Sequence, residues 1–166
     1  MYRKNKHSAL LQSGQKLFHT QDLGVLWGIN NKNTLYITAN RFIKRGILFK
    51  VIKGLYSTIP VDEINKYELG AMLLHKYSYL SCESVLFDEG VIFQVPSSIT
   101  YVSSISKKIK FGNIYYSYRK MKTEKLFDSN GIIKKDGYYI ATPERAISDL
   151  RYFNPKYCFD NLPNDK

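Results

Sequence analysis

Residues 30–60 read NNKNTLYITANRFIKRGILFKVIKGLYSTIP, and this stretch decides how the first part of the chain folds. It opens on Asn30-Asn31-Lys32-Asn33, a turn signal that also supplies a helix N-cap. Over residues 34–45, Leu35, Ala39, Phe42 and Ile43 recur on one side of a helix, and Gly46 ends the run. Residues 47–52 are then strand-like, Lys53-Gly54 makes a tight turn, and Leu55-Tyr56-Ser57-Thr58 returns before Pro60 closes the module. A short hairpin directly after a helix reads as a wing.

Working outward toward the N-terminus, Leu10, Leu11, Gly14, Leu17 and Phe18 recur at helical spacing and predict a first helix over 8–19. Thr20 is a suitable N-cap for a second helix, with Asp22 in its first turn and Leu23, Leu26 and Trp27 at i, i+3, i+4. Gly28 ends it. Three short helices, the last two joined by a tight polar turn and followed by a hairpin, predict an N-terminal winged helix-turn-helix over residues 1–61.

Charge singles out the same region. The 166-residue chain carries 25 Lys and Arg against 14 Asp and Glu, a net +11, which calls for a polyanionic partner. Residues 1–60 hold ten of the basic side chains and a single acid, Asp22, whereas the remainder is nearly balanced. The far side of the third predicted helix carries Asn33, Thr34, Ile37, Asn40 and Arg41. These suit base reading in a major groove: Asn to adenine, Arg to guanine, Ile to a thymine methyl. Lys32, Lys44, Arg45, Lys50 and Lys53 suit phosphates, which set affinity and register rather than sequence. A merely solvated helix face would explain the lysines equally, but not the near absence of acid.

Other features exclude classes of function. With 44% hydrophobic and 23% charged residues the chain is not disordered, and it has no apolar run near twenty residues. The basic start and the short, polar segment after it do not read as a signal peptide, so a cytoplasmic location is expected. Cys82 and Cys158 form no C-x-x-C pair, and His7, His19 and His75 show no metal-binding spacing. No metal or cofactor is expected.

Residues 62–166 predict a small α+β domain with an antiparallel sheet. Helices are expected over 63–75 and 81–89, and a strand over 99–102. Hairpins turn at Gly112-Asn113 and Asp136-Gly137, and a last helix is capped by Thr142 with Pro143 in its first turn. The tail from Asn154 is expected to fray. Lys107, Lys108, Lys110, Arg119, Lys120 and Lys122 make a second basic cluster, either a solvated edge or a further phosphate contact. The tyrosines read as sheet packing rather than as a stacking platform for single strands. Glu144, Arg145 and Asp149 read as cap, ion pair and core.

The order of motifs resembles a family. The basic module with Arg45-Gly46-Ile47-Leu48 and Lys53-Gly54-Leu55-Tyr56, then Tyr79-Leu80-Ser81-Cys82-Glu83-Ser84-Val85-Leu86, then Ile99-Thr100-Tyr101-Val102, then residues 141–150 (ATPERAISDL), is similar to the AbiEi antitoxins of type IV toxin–antitoxin (abortive infection) systems. The resemblance covers roughly residues 8–152. Val85 stands where the family often has Ala, and the second domain is near minimal in length. The resemblance implies a winged helix that binds inverted repeats of double-stranded operator DNA and represses its own operon, with a dimer on DNA compatible with such repeats. It also implies a C-terminal domain that counteracts a nucleotidyltransferase-like toxin, without a stable complex being required. Two other functions compete. One is a stand-alone transcriptional regulator. The other is a metal-dependent nuclease built on Glu124, Lys125 and Asp128, which lack a strand to hold them around a metal.

Overall fold

The structure is a computed structural model describing residues 5–162. Its helices and strands form a mixed α+β arrangement in two units, Met1–Met72 and Leu73–Lys166. The first unit therefore runs further than the expected 1–61, taking in a 3-10 turn at Val61–Glu63 and all but the last residue of a helix at Lys66–Leu73 (α4).

In the first unit the order is α1 (Lys6–Gln12), β1 (Leu17–His19), α2 (Thr20–Trp27), α3 (Lys32–Lys44), β2 (Phe49–Ile52) and β3 (Leu55–Ser57). The expected helix over 8–19 is corrected. It stops at Gln12, where the Ser13 hydroxyl bonds the Leu10 carbonyl and Gly14 takes φ +68. A left-handed residue reverses the chain at little cost only when it is glycine. The chain then re-enters extended, and Leu17–His19 pairs antiparallel with Leu55–Ser57 to give a three-stranded sheet in the order β1-β3-β2. The consecutive burial of Leu17 and Phe18 satisfies a short strand as well as a helical stripe, which is why the spacing misled.

α2 starts one residue earlier than expected. His19 occupies the cap position, and its backbone N–H donates to Asp22 Oδ2 at 2.8 Å. The sole acid of the first sixty residues is thereby tied to a helix start. Gly28 ends α2 at φ +64, as its position predicts. Asn31 Oδ1 accepts from the Thr34 N–H at 3.0 Å and caps α3. Leu35, Ala39 and Phe42 from α3 meet Leu23 and Trp27 from α2, Leu10 from α1, and Leu48 and Tyr56, in one buried cluster. Each such fully buried large side chain contributes roughly 1.5–3 kcal/mol. The Trp27 ring lies 5.0 Å from that of Phe42, and its indole N–H donates to the Lys6 carbonyl at 3.2 Å, which pins the start of α1 to the α2–α3 pair.

The second unit contains β4 (Ser78–Leu80), α5 (Glu83–Asp88), β5 (Ile99–Ser103), β6 (Lys107–Phe111), β7 (Ile114–Lys120), α6 (Thr123–Leu126), β8 (Ile132–Lys135), β9 (Tyr138–Ala141) and α7 (Pro143–Phe153). Six strands order as β6-β7-β5-β4-β9-β8. The expected antiparallel sheet is corrected to a mixed one: β5 runs parallel to β7, and β4 parallel to β9. The central pair β4–β5 is buried throughout except for half-buried Ile99, and α5 and α7 pack on each other and on β5 and β9 respectively. Both predicted hairpins are present, as is the Thr142 cap, whose hydroxyl accepts from the Arg145 N–H at 3.3 Å. α5 is capped by Cys82 rather than Ser81, with Cys82 at φ 56. A non-glycine residue held there costs roughly 1–3 kcal/mol of backbone strain. The tail is tied down further than expected. The N–H groups of Asp160 and Asn161 donate to the Val91 carbonyl, and the Asp160 carboxylate accepts from the Phe93 N–H. Arg3, Lys4 and residues 163–166, counted in the sequence reading, lie outside the described residues.

Tyr79, Tyr101, Tyr116 and Tyr118 are buried, with the Tyr101 and Tyr118 rings stacked at 5.4 Å. Burial pushes the Tyr116 hydroxyl up to about 12, and the Tyr79 and Tyr118 hydroxyls upward as well. The native state thus prefers neutral phenols that ionise near pH 10 when unfolded, so their contribution is full below pH 10 and lost as pH climbs toward 12. Urea unfolding should give constant stability from neutral pH to about pH 10 and a steep fall above it. Tyrosinate absorbance from these residues should emerge only with unfolding. Their ionisation near pH 10 in the intact fold would contradict this.

Candidate nucleic-acid interface

The core stripe of α3 fixes what the rest of the helix can do. With Leu35, Ala39 and Phe42 turned inward, Asn33, Thr34, Ile37, Asn40, Arg41 and Lys44 are all exposed. All five predicted base-reading residues therefore lie on the open side of α3. Ile37 is 53% exposed although apolar, so it is not held for packing. Thr34 differs from the others, because its hydroxyl lies 3.3 Å from Asn31 Oδ1 and is engaged in the cap. Tyr36, also exposed and not singled out by the sequence, extends the face; burial and, to a lesser degree, the nearness of Tyr36 raise the pKa of the Tyr56 hydroxyl on the hairpin.

The predicted phosphate contacts surround this face. Lys32 is the first residue of α3, Lys44 its last and Arg45 its C-cap; all three are exposed. The Arg45 guanidinium stands 5.8 Å over the Phe42 ring. Lys50 is exposed on β2, opposite Tyr56 in register. Lys53 is exposed at the hairpin turn. That turn is anchored to the start of α2, since the Thr20 N–H donates to the Gly54 carbonyl at 2.9 Å. Lys53 thus sits beside the amino end of α2. The sequence did not reveal that Lys6, on α1, joins Arg41, Lys44 and Arg45 around a single cleft, because that requires the tertiary packing of α1.

The second basic cluster does not form one surface. β6 is an outermost strand, and alternation sends Lys107 to one face with Tyr118, while Lys108 and Lys110 share the other with Ser117 and Tyr115. Arg119 is withdrawn from the cluster: it pairs with Glu83 at 2.8 Å and lies over the Phe153 ring. Lys120 and Lys122 are exposed. Lysines along an edge strand discourage pairing with another chain, which accounts for Lys107, Lys108 and Lys110.

The Thr-Pro-Glu-Arg segment holds the most elaborate polar cluster of the second unit. Arg145 Nε donates to Asp149 Oδ1 at 2.9 Å, and the Ser81 hydroxyl donates to Asp149 Oδ2 at 2.7 Å. The remaining Arg145 N–H groups reach the Tyr79 hydroxyl and the carbonyls of Lys125, Asp128 and Asn130. Burial works against the Arg145 charge, but the bond to Asp149 and its charge outweigh it and hold the pKa above the usual value. The neighbouring cleft, about 630 Å³, is lined by Lys125, Asp128, Glu144 and Tyr152 among others. Glu124 and Lys125 lie on the four-residue α6, and Asp128 caps the turn after it by accepting from the Asn130 N–H, so none of the three stands on a strand. Burial pushes the Cys82 thiol up, so it stays protonated. Among the described residues no group of three or more His, Cys, Asp or Glu side chains gathers to hold a metal, and no helix is long and apolar enough to cross a membrane. No family model matches the chain, and no curated protein matches it.

Arg145 with Asp149 is therefore a framework element. Removing the cation from a buried pair leaves an uncompensated charge and costs about 3–5 kcal/mol. Arg145→Ala should lose that much in urea unfolding. Arg145→Lys should recover little, because an ammonium cannot reach three carbonyls, a phenol and a carboxylate together. A loss below about 1 kcal/mol would show the network to be dispensable.

Proposed function

We propose that the chain is a DNA-binding antitoxin and autorepressor of a type IV toxin–antitoxin operon, AbiEi-like, whose first unit binds promoter inverted repeats as a winged helix-turn-helix. The observation that carries the DNA-binding reading is the open face of α3. It presents amide, guanidinium and apolar groups, is flanked by Lys32, Lys44, Arg45, Lys50 and Lys53, and belongs to a stretch whose only carboxylate is bonded to a helix start. The succession α2, turn, α3, β2–β3 hairpin, with β1 completing the sheet, supports the winged-helix reading. In this reading α3 enters the major groove. Asn33, Ile37, Asn40 and Arg41 meet base edges, Thr34 mainly caps the helix, and the lysines take phosphates. Two copies on an inverted repeat would stand about 34–36 Å apart, or a multiple of that.

The antitoxin half of the proposal rests on the motif resemblance. The two most specific motifs are brought together by the fold: Tyr79 and Ser81 from one bond Arg145 and Asp149 from the other. Their joint occurrence thus has a physical reason. A cytoplasmic phage-defence regulator fits this reading, with a nucleotidyltransferase-like toxin as its counterpart. A neighbouring gene for such a toxin, whose lethality the chain suppresses on co-expression, separates it from a stand-alone regulator.

On duplex carrying the region upstream of its own gene, the full chain should bind at least about 10³-fold more tightly than on random duplex. Equal affinities in a gel shift would overturn operator binding. Arg41→Ala should cost about 1–3 kcal/mol on the operator and much less on random duplex, as expected for loss of a bidentate base contact. An equal loss on both would move Arg41 to the phosphate-binding set.

A further inference from the structure

Lys6, Thr38, Arg41, Phe42, Lys44 and Arg45 line a cleft of about 470 Å³ between the start of α1 and the end of α3. Four of the six are cationic, and no carboxylate stands among these described residues. Phe42 also lines the cleft, with the Arg45 guanidinium 5.8 Å over its ring. Lys6 is not loosely placed: its carbonyl accepts from the buried Trp27 indole, and Asn5 caps its helix through the His7 N–H. Four cationic side chains lining one cleft suit more than one phosphate oxygen at once.

Position on α3 identifies which phosphates. At about 100° per residue, Asn33, Ile37, Asn40 and Lys44 centre the open face. Arg41 and Arg45 fall on one flank, toward Lys6. Tyr36 falls on the other flank, toward Tyr56, whose cross-strand partner is Lys50. Cations therefore stand on both sides of the groove-reading face. A major groove is ~12 Å wide and bounded by phosphates of opposite strands.

We propose that the Lys6–Arg45 cleft is a second backbone clamp, taking phosphodiester phosphates on the DNA strand opposite to the one held by Lys50 and Lys53. This rests on the duplex-binding reading of α3, and it assigns to α1 a direct role in affinity that the sequence pattern did not suggest. Double-stranded DNA is the required partner, since a single strand offers one line of phosphates.

The test combines salt titration with phosphate-ethylation interference on the full chain. Wild type should show two clusters of interfering phosphates, one on each strand. Lys6→Gln and Arg45→Gln should each erase one cluster, Lys53→Gln the other. Each change should flatten the plot of log affinity against log salt by about one unit, and the Lys6→Gln/Lys53→Gln pair by about two. Trp27 fluorescence monitors the fold, because Lys6 bonds the indole through its backbone, which the substitution leaves in place. Inorganic tripolyphosphate should compete with duplex for wild type at least threefold better than for Lys6→Gln. If wild type binds duplex with a steep salt slope while Lys6→Gln and Arg45→Gln keep that slope and both clusters, the clamp is wrong and the DNA reading stands. If wild type binds no duplex at all, the DNA reading itself falls. Competition by tripolyphosphate without strand-specific loss would make the cleft a site for free polyphosphate, and would overturn the clamp.

Discussion

The second unit depends on one buried ion pair. Asp149 is 3% exposed, with the Arg145 guanidinium on one carboxylate oxygen and the Ser81 hydroxyl on the other, and a buried carboxylate without such partners is strongly destabilising. Arg145 in turn could not be desolvated without the acceptors it finds in Tyr79 and in three carbonyls of the segment 125–130. Each partner thus licenses the other's burial. The cost is met by joining strand β4, helix α7 and an otherwise irregular segment into one unit. Gly131 shows how closely this is fitted: a Cβ there would lie 2.8 Å from that of Arg145, and its φ of +73 disfavours any other residue.

The first unit is organised differently, by an apolar cluster and helix caps with little buried charge. Trp27 is its pivot, touching Phe42 of α3 and bonding the backbone of α1. The cluster that joins α1, α2, α3 and the hairpin holds no charged side chain, and most basic side chains of residues 5–60 are exposed. Asp22, the one acid of residues 1–60, is bonded at a helix start, and the buried Glu68 of α4 lies 3.9 Å from Lys16. In the second unit acids and bases are partly consumed in pairs, as with Arg119–Glu83 and Arg145–Asp149, whereas over residues 1–60 the charges are almost all basic.

What could be read from the sequence divides along the same physical line. α2, α3, the β2–β3 turn, both later hairpins and α7 were legible because local chemistry specifies them: Asn31 and Thr142 as caps, Gly28 as a stop, Pro143 in a first turn. The exposed face of α3 was legible for the same reason, since its stripe of Leu35, Ala39 and Phe42 fixes the opposite side. β1 has an ambiguous local signature, because two adjacent apolar residues after Gly14 fit a helix as well as a strand. β4 went unrecognised as a strand within its motif, and the parallel pairings β4–β9 and β5–β7 have no local signature at all, since they join segments far apart in the chain. The Arg145 network and the Lys6 cleft were hidden likewise. Both gather residues from separate elements, and only the i, i+4 step from Arg145 to Asp149 was visible in advance.

The disposition of the aromatic side chains bears on what kind of nucleic acid this surface suits. A protein that holds single strands needs exposed rings at successive base positions. Here the largest tyrosine group, Tyr79, Tyr101, Tyr116 and Tyr118, is spent inside the second unit, where burial raises the hydroxyl pKa of Tyr79, Tyr116 and Tyr118. Of the exposed rings, Tyr115 is covered on one side by Lys110, and Phe127 and Tyr139 both pack on half-buried Tyr77. The cations concentrate instead around α3, where Phe42 is buried and Tyr36 is the one exposed ring among the described residues. On the reading proposed above, a single exposed ring amid outward charges suits a rigid double-stranded partner better than a flexible one.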